Sequence, residues 1–307
     1  MRYGFFDDAR REYVVEDVSC PQPLTNYLGT ERMGAVLSHN AGGYAWLDTP
    51  EYGRITRFRP NGLPLDGPGH WVYLRDDETG EYFSLSWQPA GGEDPTGYRC
   101  RHGLSYSVFE CARLGLEASQ TLFIPREEDP AADPVEIFDV RVRNCSPRPR
   151  RISVYGYVEF SFHHISFDQQ NFQMSLYCAG SLMEKGAVVC DLHYEDGEFE
   201  FFASDKAPDG FEGTRDAWIG PYRSERNPLG LERDQLTGST EAGGNPVGSL
   251  RRMLTLAPGE EARVLFYLGR GRGEAAEAAR RKYPPRNAAG PWRISGASGM
   301  KSSPSCR

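Results

Sequence analysis

Residues 150–177, RRISVYGYVEFSFHHISFDQQNFQMSLY, change pattern halfway along, and that change decides the fold. Ile152, Val154, Gly156, Val158, Phe160 and Phe162 occupy the even positions, with Ser153, Tyr155, Tyr157, Glu159 and Ser161 between them. Period two of this kind predicts a β-strand with one buried face. From His163 the alternation stops, and His163, His164, Asp168, Gln169, Gln170, Asn171 and Gln173 follow before Leu176 and Tyr177 restore the apolar tone. A strand therefore delivers a polar loop carrying Phe162, Phe167 and Phe172. Amides and acids for hydroxyls, with rings for apolar sugar faces, is the mixture that saccharide recognition uses; a plain solvated hairpin connection is the alternative.

Working outward, the flanking sequence repeats the strand signature. Glu12–Val15, a hairpin across Leu37–Trp46 with Asn40, Gly42 and Gly43 at its turn, Arg54–Phe58, His70–Arg75, Glu81–Trp87 and Tyr98–Arg101 are short candidate strands. They are separated by Gly-, Pro- and Asp-rich turns. Longer ones follow at Leu104–Cys111, Leu114–Ile124 and Val135–Asn144, each expected to bury one face. A basic turn over 143–151, read as solvated, enters the central strand. Beyond the polar loop come strands at Met174–Ala179, Ala187–Tyr194 and Phe199–Ser204, and a last pair at Ser249–Leu256 and Arg263–Leu268. Residues 205–244 read as long irregular connections pinned by Phe211, Trp218 and Tyr222. Helical character is confined to Glu274–Lys282, EAAEAARRK, where Ala content and Glu-before-Arg order favour it. After Tyr283 no period remains, and disorder is expected. Many short strands with turns between them predict an all-β fold, a large antiparallel sandwich with a short C-terminal helix.

A chain of 307 residues can hold such a sandwich as a single unit. Its net charge of −8 argues against a nucleic-acid backbone as partner. Seven cysteines, at 20, 100, 111, 145, 178, 190 and 306, are odd in number and irregularly spaced, with no CxxC pair, and read as reduced thiols rather than metal ligands. Neither a signal-peptide core nor an apolar run of membrane-spanning length is present, so no membrane partner and a cytoplasmic location are expected.

Direct catalytic signatures are absent. Glycines 269, 271 and 273 sit between a strand and a helix, yet the spacing departs from the dinucleotide fingerprint and no β-α-β unit surrounds it. Neighbouring His163 and His164 would point to opposite faces, which disfavours a shared metal. No nucleophile elbow occurs, and the carboxylates Asp7, Asp8, Asp76, Asp77, Asp94 and Glu159 cannot be paired from sequence.

Several stretches together resemble one family. YGFFDD at 3–8, REYV at 11–14, NYLGT at 26–30, NAGGY at 40–44, RITRFR at 54–59, YRCRHGLSY at 98–106, VEFSF at 158–162 and NFQMSLY at 171–177 are similar, in order over residues 2–270, to the N-terminal region of the inverting disaccharide phosphorylases of glycoside hydrolase family 94. The resemblance implies a galactose mutarotase-like supersandwich over residues 1–270 and the start of a helical linker over 271–283. The catalytic (α/α)6 barrel that follows in the family has no counterpart here. Residues 284–307 resemble nothing in the family, which points to a disordered or frameshifted tail.

The implied reaction is phosphorolysis of a β-linked disaccharide to an α-sugar 1-phosphate. Inorganic phosphate is the co-substrate and no other cofactor is required, so one acid group suffices. The sandwich would wall the acceptor side of the pocket and build a homodimer. His163, Asp168, Asn171, Gln173 and Met174 would line the acceptor sugar, Gln173 bonding its hydroxyls, and no catalytic residue would lie in this chain. Cellobiose-specific members carry Arg after that Gln; Met174 removes up to five donors and argues against strict cellobiose specificity, leaving laminaribiose or longer β-glucosides open. A stand-alone carbohydrate-binding sandwich without catalysis is the alternative.

Overall fold

In the computed structural model, residues 3–57, 67–92, 97–127, 134–161, 164, 166, 179–192, 199–240 and 242–285 are described. Among them the strands are β1 (Gly4–Asp7), β2 (Glu12–Val15), β3 (Thr25–Gly29), β4 (Met33–Ser38), β5 (Gly43–Leu47), β6 (Trp71–Asp76), β7 (Tyr82–Ser84), β8 (Arg99–Gly103) and β9 (Tyr106–Arg113). They continue as β10 (Leu116–Phe123), β11 (Val135–Asn144), β12 (Arg150–Glu159), β13 (Ala179–Glu184), β14 (Ala187–Leu192), β15 (Phe199–Ser204), β16 (Gly210–Thr214), β17 (Pro246–Leu256) and β18 (Glu261–Arg270). Three helices, α1 (Arg215–Ile219), α2 (Leu229–Glu232) and α3 (Gly273–Lys282), complete the described elements. A ten-stranded sheet runs β1-β2-β8-β9-β10-β11-β18-β15-β14-β13, a five-stranded sheet β16-β17-β12-β6-β7, and a small sheet β3-β4-β5. Every adjacent pair of strands is antiparallel. The fold is thus the expected all-β antiparallel sandwich.

The alternation in 152–160 does make a strand, but β12 is buried on both faces rather than one. Its even row faces the ten-stranded sheet. Gly156 is required there, because a Cβ would come within 2.9 Å of the Phe202 and Phe266 rings. Its odd row is covered by a part of the chain expected to be irregular. Residues 210–232 form β16, α1 and α2, and α1 brings Trp218 onto Tyr155 and Tyr157 with ring centroids 5.6 Å from each and 6.0 Å from Tyr73. Of the three pinning aromatics, Trp218 is fully buried and Phe211 packs against the core, whereas Tyr222 is fully exposed and pins nothing. Of the polar members of the odd row, Ser153 is satisfied: its hydroxyl donates to Asp77 at 2.8 Å and accepts from Arg251 Nε at 2.9 Å.

A second apolar layer lies on the outer face of the ten-stranded sheet. Val135 and Ile137 of β11, Phe201 and Tyr267 pack there beneath Ala276 and Ala279 of α3 and Tyr283. Two alanines three apart present a smooth stripe that lets the helix approach the sheet. So β11, expected to bury one face, buries both. Other boundaries also moved. Of the strand read at 54–58, the described residues 54–57 make isolated bridges, Arg54 with Trp46 and Thr56 with Phe160. Of the strand read at 174–179, residues 174–178 lie outside the described residues, and Ala179 opens β13. Unexpected β3, hidden by Pro21, Pro23 and Gly29, is tied to the large sheet by the Asn26 amide, which donates to the carbonyls of Gly103 and Tyr106 at 2.9 Å each. Within the turn read as solvated, Arg150 is buried against Asp76. Nothing is described from residue 286 on, so the tail expectation lies outside the described residues.

Between the sheets, fully buried His70 and Glu136 approach to 3.7 Å. Burial pulls the His70 pKa down to about 3 and pushes Glu136 up to about 8, so both are neutral near pH 7. An unfolded Glu loses its proton near pH 4.3, so over the interval up to about 8 the folded state binds the extra proton and stability falls as pH rises. His70 has the opposite effect below about pH 6.5, which leaves the Glu136 slope uncompensated above that pH. Glu136→Gln should therefore gain on the wild type by up to about 2 kcal/mol between pH 6.5 and 8. Urea unfolding across that range checks it; parallel curves for the two proteins would refute the neutral pair.

Candidate functional site

The polar stretch follows the end of β12, and the described residues at its start are tied down. Phe160 bridges Thr56, Arg57 N–H donates to the Glu159 carbonyl at 2.9 Å, and Ser161 N–H to that of Ile55 at 3.1 Å. His164 meets the Tyr52 ring edge-on at 4.6 Å. The five residues expected to bind sugar, His163, Asp168, Asn171, Gln173 and Met174, lie outside the described residues, so the structure reports on the residues that flank them.

Among these flanking residues is an ionic cluster. Glu159, with a side chain 4% exposed, accepts from Arg57 Nη1 at 3.2 Å on one oxygen; the other accepts from Arg215 Nε at 3.0 Å and the Tyr157 hydroxyl at 2.9 Å. Arg57 also reaches Asn245 Oδ1 at 3.3 Å, and Arg215 pairs with Glu225. Tyr73 donates its hydroxyl to the Glu225 carbonyl at 2.9 Å. The cluster thus gathers the end of β12, the segment at 57, the first residue of α1 and the connection at 225. Sequence reasoning picked out Glu159 but neither arginine nor Glu225, since no spacing links positions so far apart in the chain.

Chemically the cluster positions rather than reacts. Burial alone would raise the Glu159 pKa, but Arg57 and Arg215, with the Tyr157 and Arg215 hydrogen bonds, hold it below the usual carboxylate range. A general acid for glycosidic cleavage needs the reverse shift. Glu136 has such a shift but is sealed between the sheets. The glycine run at 269–273 is also occupied: Gly271 N–H donates to the Phe199 carbonyl at 2.7 Å, Gly273 N–H donates to Glu184 Oε2 at 3.1 Å, and Arg272 pairs with the same carboxylate. A phosphate would find those donors taken. Among the described residues no group of three or more His, Cys, Asp or Glu is placed to hold a metal, and no helix is long and apolar enough to cross a membrane.

Residues 11–285 match the family described as glycosyl hydrolase 94, supersandwich domain. The chain is 49% identical over 277 residues to the N,N'-diacetylchitobiose phosphorylase of Vibrio proteolyticus, covering 89% of this chain and 34% of that protein. Against the enzyme of the same name from Vibrio furnissii it is 46% identical over 92% of this chain and 35% of that one. Against the solabiose phosphorylase of Paenibacillus borealis it is 32% identical over 91% and 36%. The chain therefore spans about a third of the length of these relatives.

Because Glu159 serves two guanidinium groups, Glu159→Gln should cost about 2 kcal/mol of stability near neutral pH, somewhat less than a fully sealed pair since both arginines keep some solvent. A depressed carboxylate stabilises above the unfolded pKa and loses that contribution as pH falls, so the gap between variant and wild type should narrow below about pH 4.3. Urea denaturation near pH 7 and pH 3.5 measures both; an equal gap at the two would contradict the assignment.

Proposed function

The chain belongs to the glycosyl hydrolase 94 supersandwich-domain family, and from that premise we propose that it is the N-terminal, sugar-facing unit of an inverting phosphorylase acting on a β-linked disaccharide. The observation that carries the reading is the match over residues 11–285 together with 49% identity to a named N,N'-diacetylchitobiose phosphorylase. On this reading phosphate attacks the anomeric carbon, and an acid group from a further domain protonates the departing oxygen. The products are an α-sugar 1-phosphate and a free acceptor sugar, a glycosyl transfer to phosphate that needs one carboxyl group and no other cofactor.

The part of this chain is to hold the polar loop. His163, Asp168, Asn171, Gln173 and Met174 line the acceptor, and the Glu159 cluster fixes the loop where it departs. Gln173 offers both a donor and an acceptor to sugar hydroxyls, while Met174 supplies apolar contact. N,N'-diacetylchitobiose is the preferred substrate on this reading. The protein acts in the cytoplasm as a homodimer, with the loop reaching the pocket of the second subunit.

Grafting residues 1–283 in place of the matching region of the Vibrio proteolyticus enzyme tests this directly. The chimera should release sugar 1-phosphate from N,N'-diacetylchitobiose and phosphate, and Gln173→Ala in it should lower kcat/KM about 100-fold, as loss of a hydrogen bond to a bound hydroxyl does. A folded chimera with no turnover, or one indifferent to Gln173, would refute the role of this chain.

A further inference from the structure

Beyond Trp71, the stacking partner of Tyr157, the sandwich holds a cavity of about 380 Å³ that the loop reading does not use. Trp71 lines it, and its ring is held by stacking on Tyr157 (centroids 6.1 Å apart, planes 4° apart) and by its N–H donating to the Asn40 carbonyl at 3.3 Å. Buried His39 and Asn40 lie beside it. His39 Nδ1 accepts from Leu24 N–H at 3.1 Å, and its Nε2 lies 3.2 Å from the Asn40 side-chain amide, so the ring is braced. Gln22 and Gln88 stand exposed at the rim, and Glu225 closes one side with its charge answered by Arg215.

These groups select a ligand class. No Lys or Arg is among the lining residues described, and a carboxylate is, which disfavours an anion. The exposed rim amides of Gln22 and Gln88 and one held aromatic ring instead match a neutral, hydroxyl-rich molecule with an apolar face. The volume lies near the lower end of the roughly 300–1,000 Å³ of ligand pockets, which suits one ring rather than an extended chain. We propose that this cavity is a second saccharide site, binding one neutral pyranose unit apart from the polar loop. The proposal rests on the saccharide reading of the domain, but it requires neither the loop nor turnover.

Cys20 provides the readout, since it lines the cavity as a free, half-buried thiol. Cys145, also half-buried, sits beyond the far end of β12 and serves as internal reference. The purified 307-residue chain would be alkylated with iodoacetamide and each cysteine followed by peptide mass spectrometry, with glucose, N-acetylglucosamine or inorganic phosphate present. Sugar at ten times its dissociation constant leaves about one site in eleven empty, so Cys20 should react about tenfold more slowly while Cys145 is unchanged. Gln88→Ala, a substitution at an exposed position, should raise the sugar concentration needed about tenfold. Gln173→Ala should leave it unaltered, which separates failure of this site from failure of the loop. Absence of protection by either sugar, equal protection by phosphate, protection indifferent to Gln88→Ala, or protection lost with Gln173→Ala would each overturn the proposal.

Discussion

Closure of the outer face of β12 by Trp218 is the contact on which the rest of this structure depends. A strand in a two-layer sandwich ordinarily buries one face and wets the other. Here Tyr155 and Tyr157 point away from the second sheet, and a lone indole from α1 lies against both while also touching Tyr73 of β6. Three aromatic rings from two adjacent strands make a floor too large to leave in water, and at roughly 25 cal/mol per Å² its burial is a substantial driving force. That force draws residues 210–232 down onto the sheet. The segment carries Arg215 and Glu225 with it, so the ionic cluster at the root of the loop follows from an aromatic packing event.

Much of the fold was legible in the sequence, and the unread part has a common physical cause. Alternation marked β11 and β12, and turn chemistry marked the 37–46 hairpin, because strand period and turn residues are local properties. Coverage of a second face is not local. Tyr155 and Tyr157 read as the solvent side since tyrosine is amphipathic, and nothing near them in the chain announces Trp218. Arg150 looked like one more charge in a basic turn, but its partner Asp76 comes from a strand paired with its own. Isolated bridges at Arg54 and Thr56 mimic a strand in sequence while offering only one contact to each neighbour. For the candidate site, the anchoring arginines Arg57 and Arg215 are met only in three dimensions and carry no motif, while the expected sugar-binding residues lie outside the described residues.

The distribution of charge inside the molecule separates two kinds of buried acid. Glu159 is ionised and held by two guanidinium groups at the edge of the sandwich. Glu136 is neutral, deep between the sheets beside a neutral imidazole. The first arrangement fixes geometry at a place where the chain must leave the sheet in one direction, because an ion pair with two hydrogen-bonded oxygens tolerates little displacement. The second avoids the cost of an isolated buried charge by keeping its proton. Neither is placed to protonate a departing sugar oxygen: one lacks the proton, and the other lacks access.

This division bears on how a sandwich can position a segment of chain without performing chemistry itself. Loops hold ligands with precision only when their ends are rigid, and the loop after β12 is anchored at its start by backbone bonds to residues 55–57 and by the Glu159 cluster. Tyr157 links that anchor to its cross-strand neighbour on the same face, since its hydroxyl donates to Glu159 while its ring stacks on Trp71 at the cavity. A displacement of Tyr157 would therefore be felt at both places. Rigidity of the central strand, set by burial on both faces, is what lets one element carry both the anchor at Glu159 and the ring that stacks on Trp71.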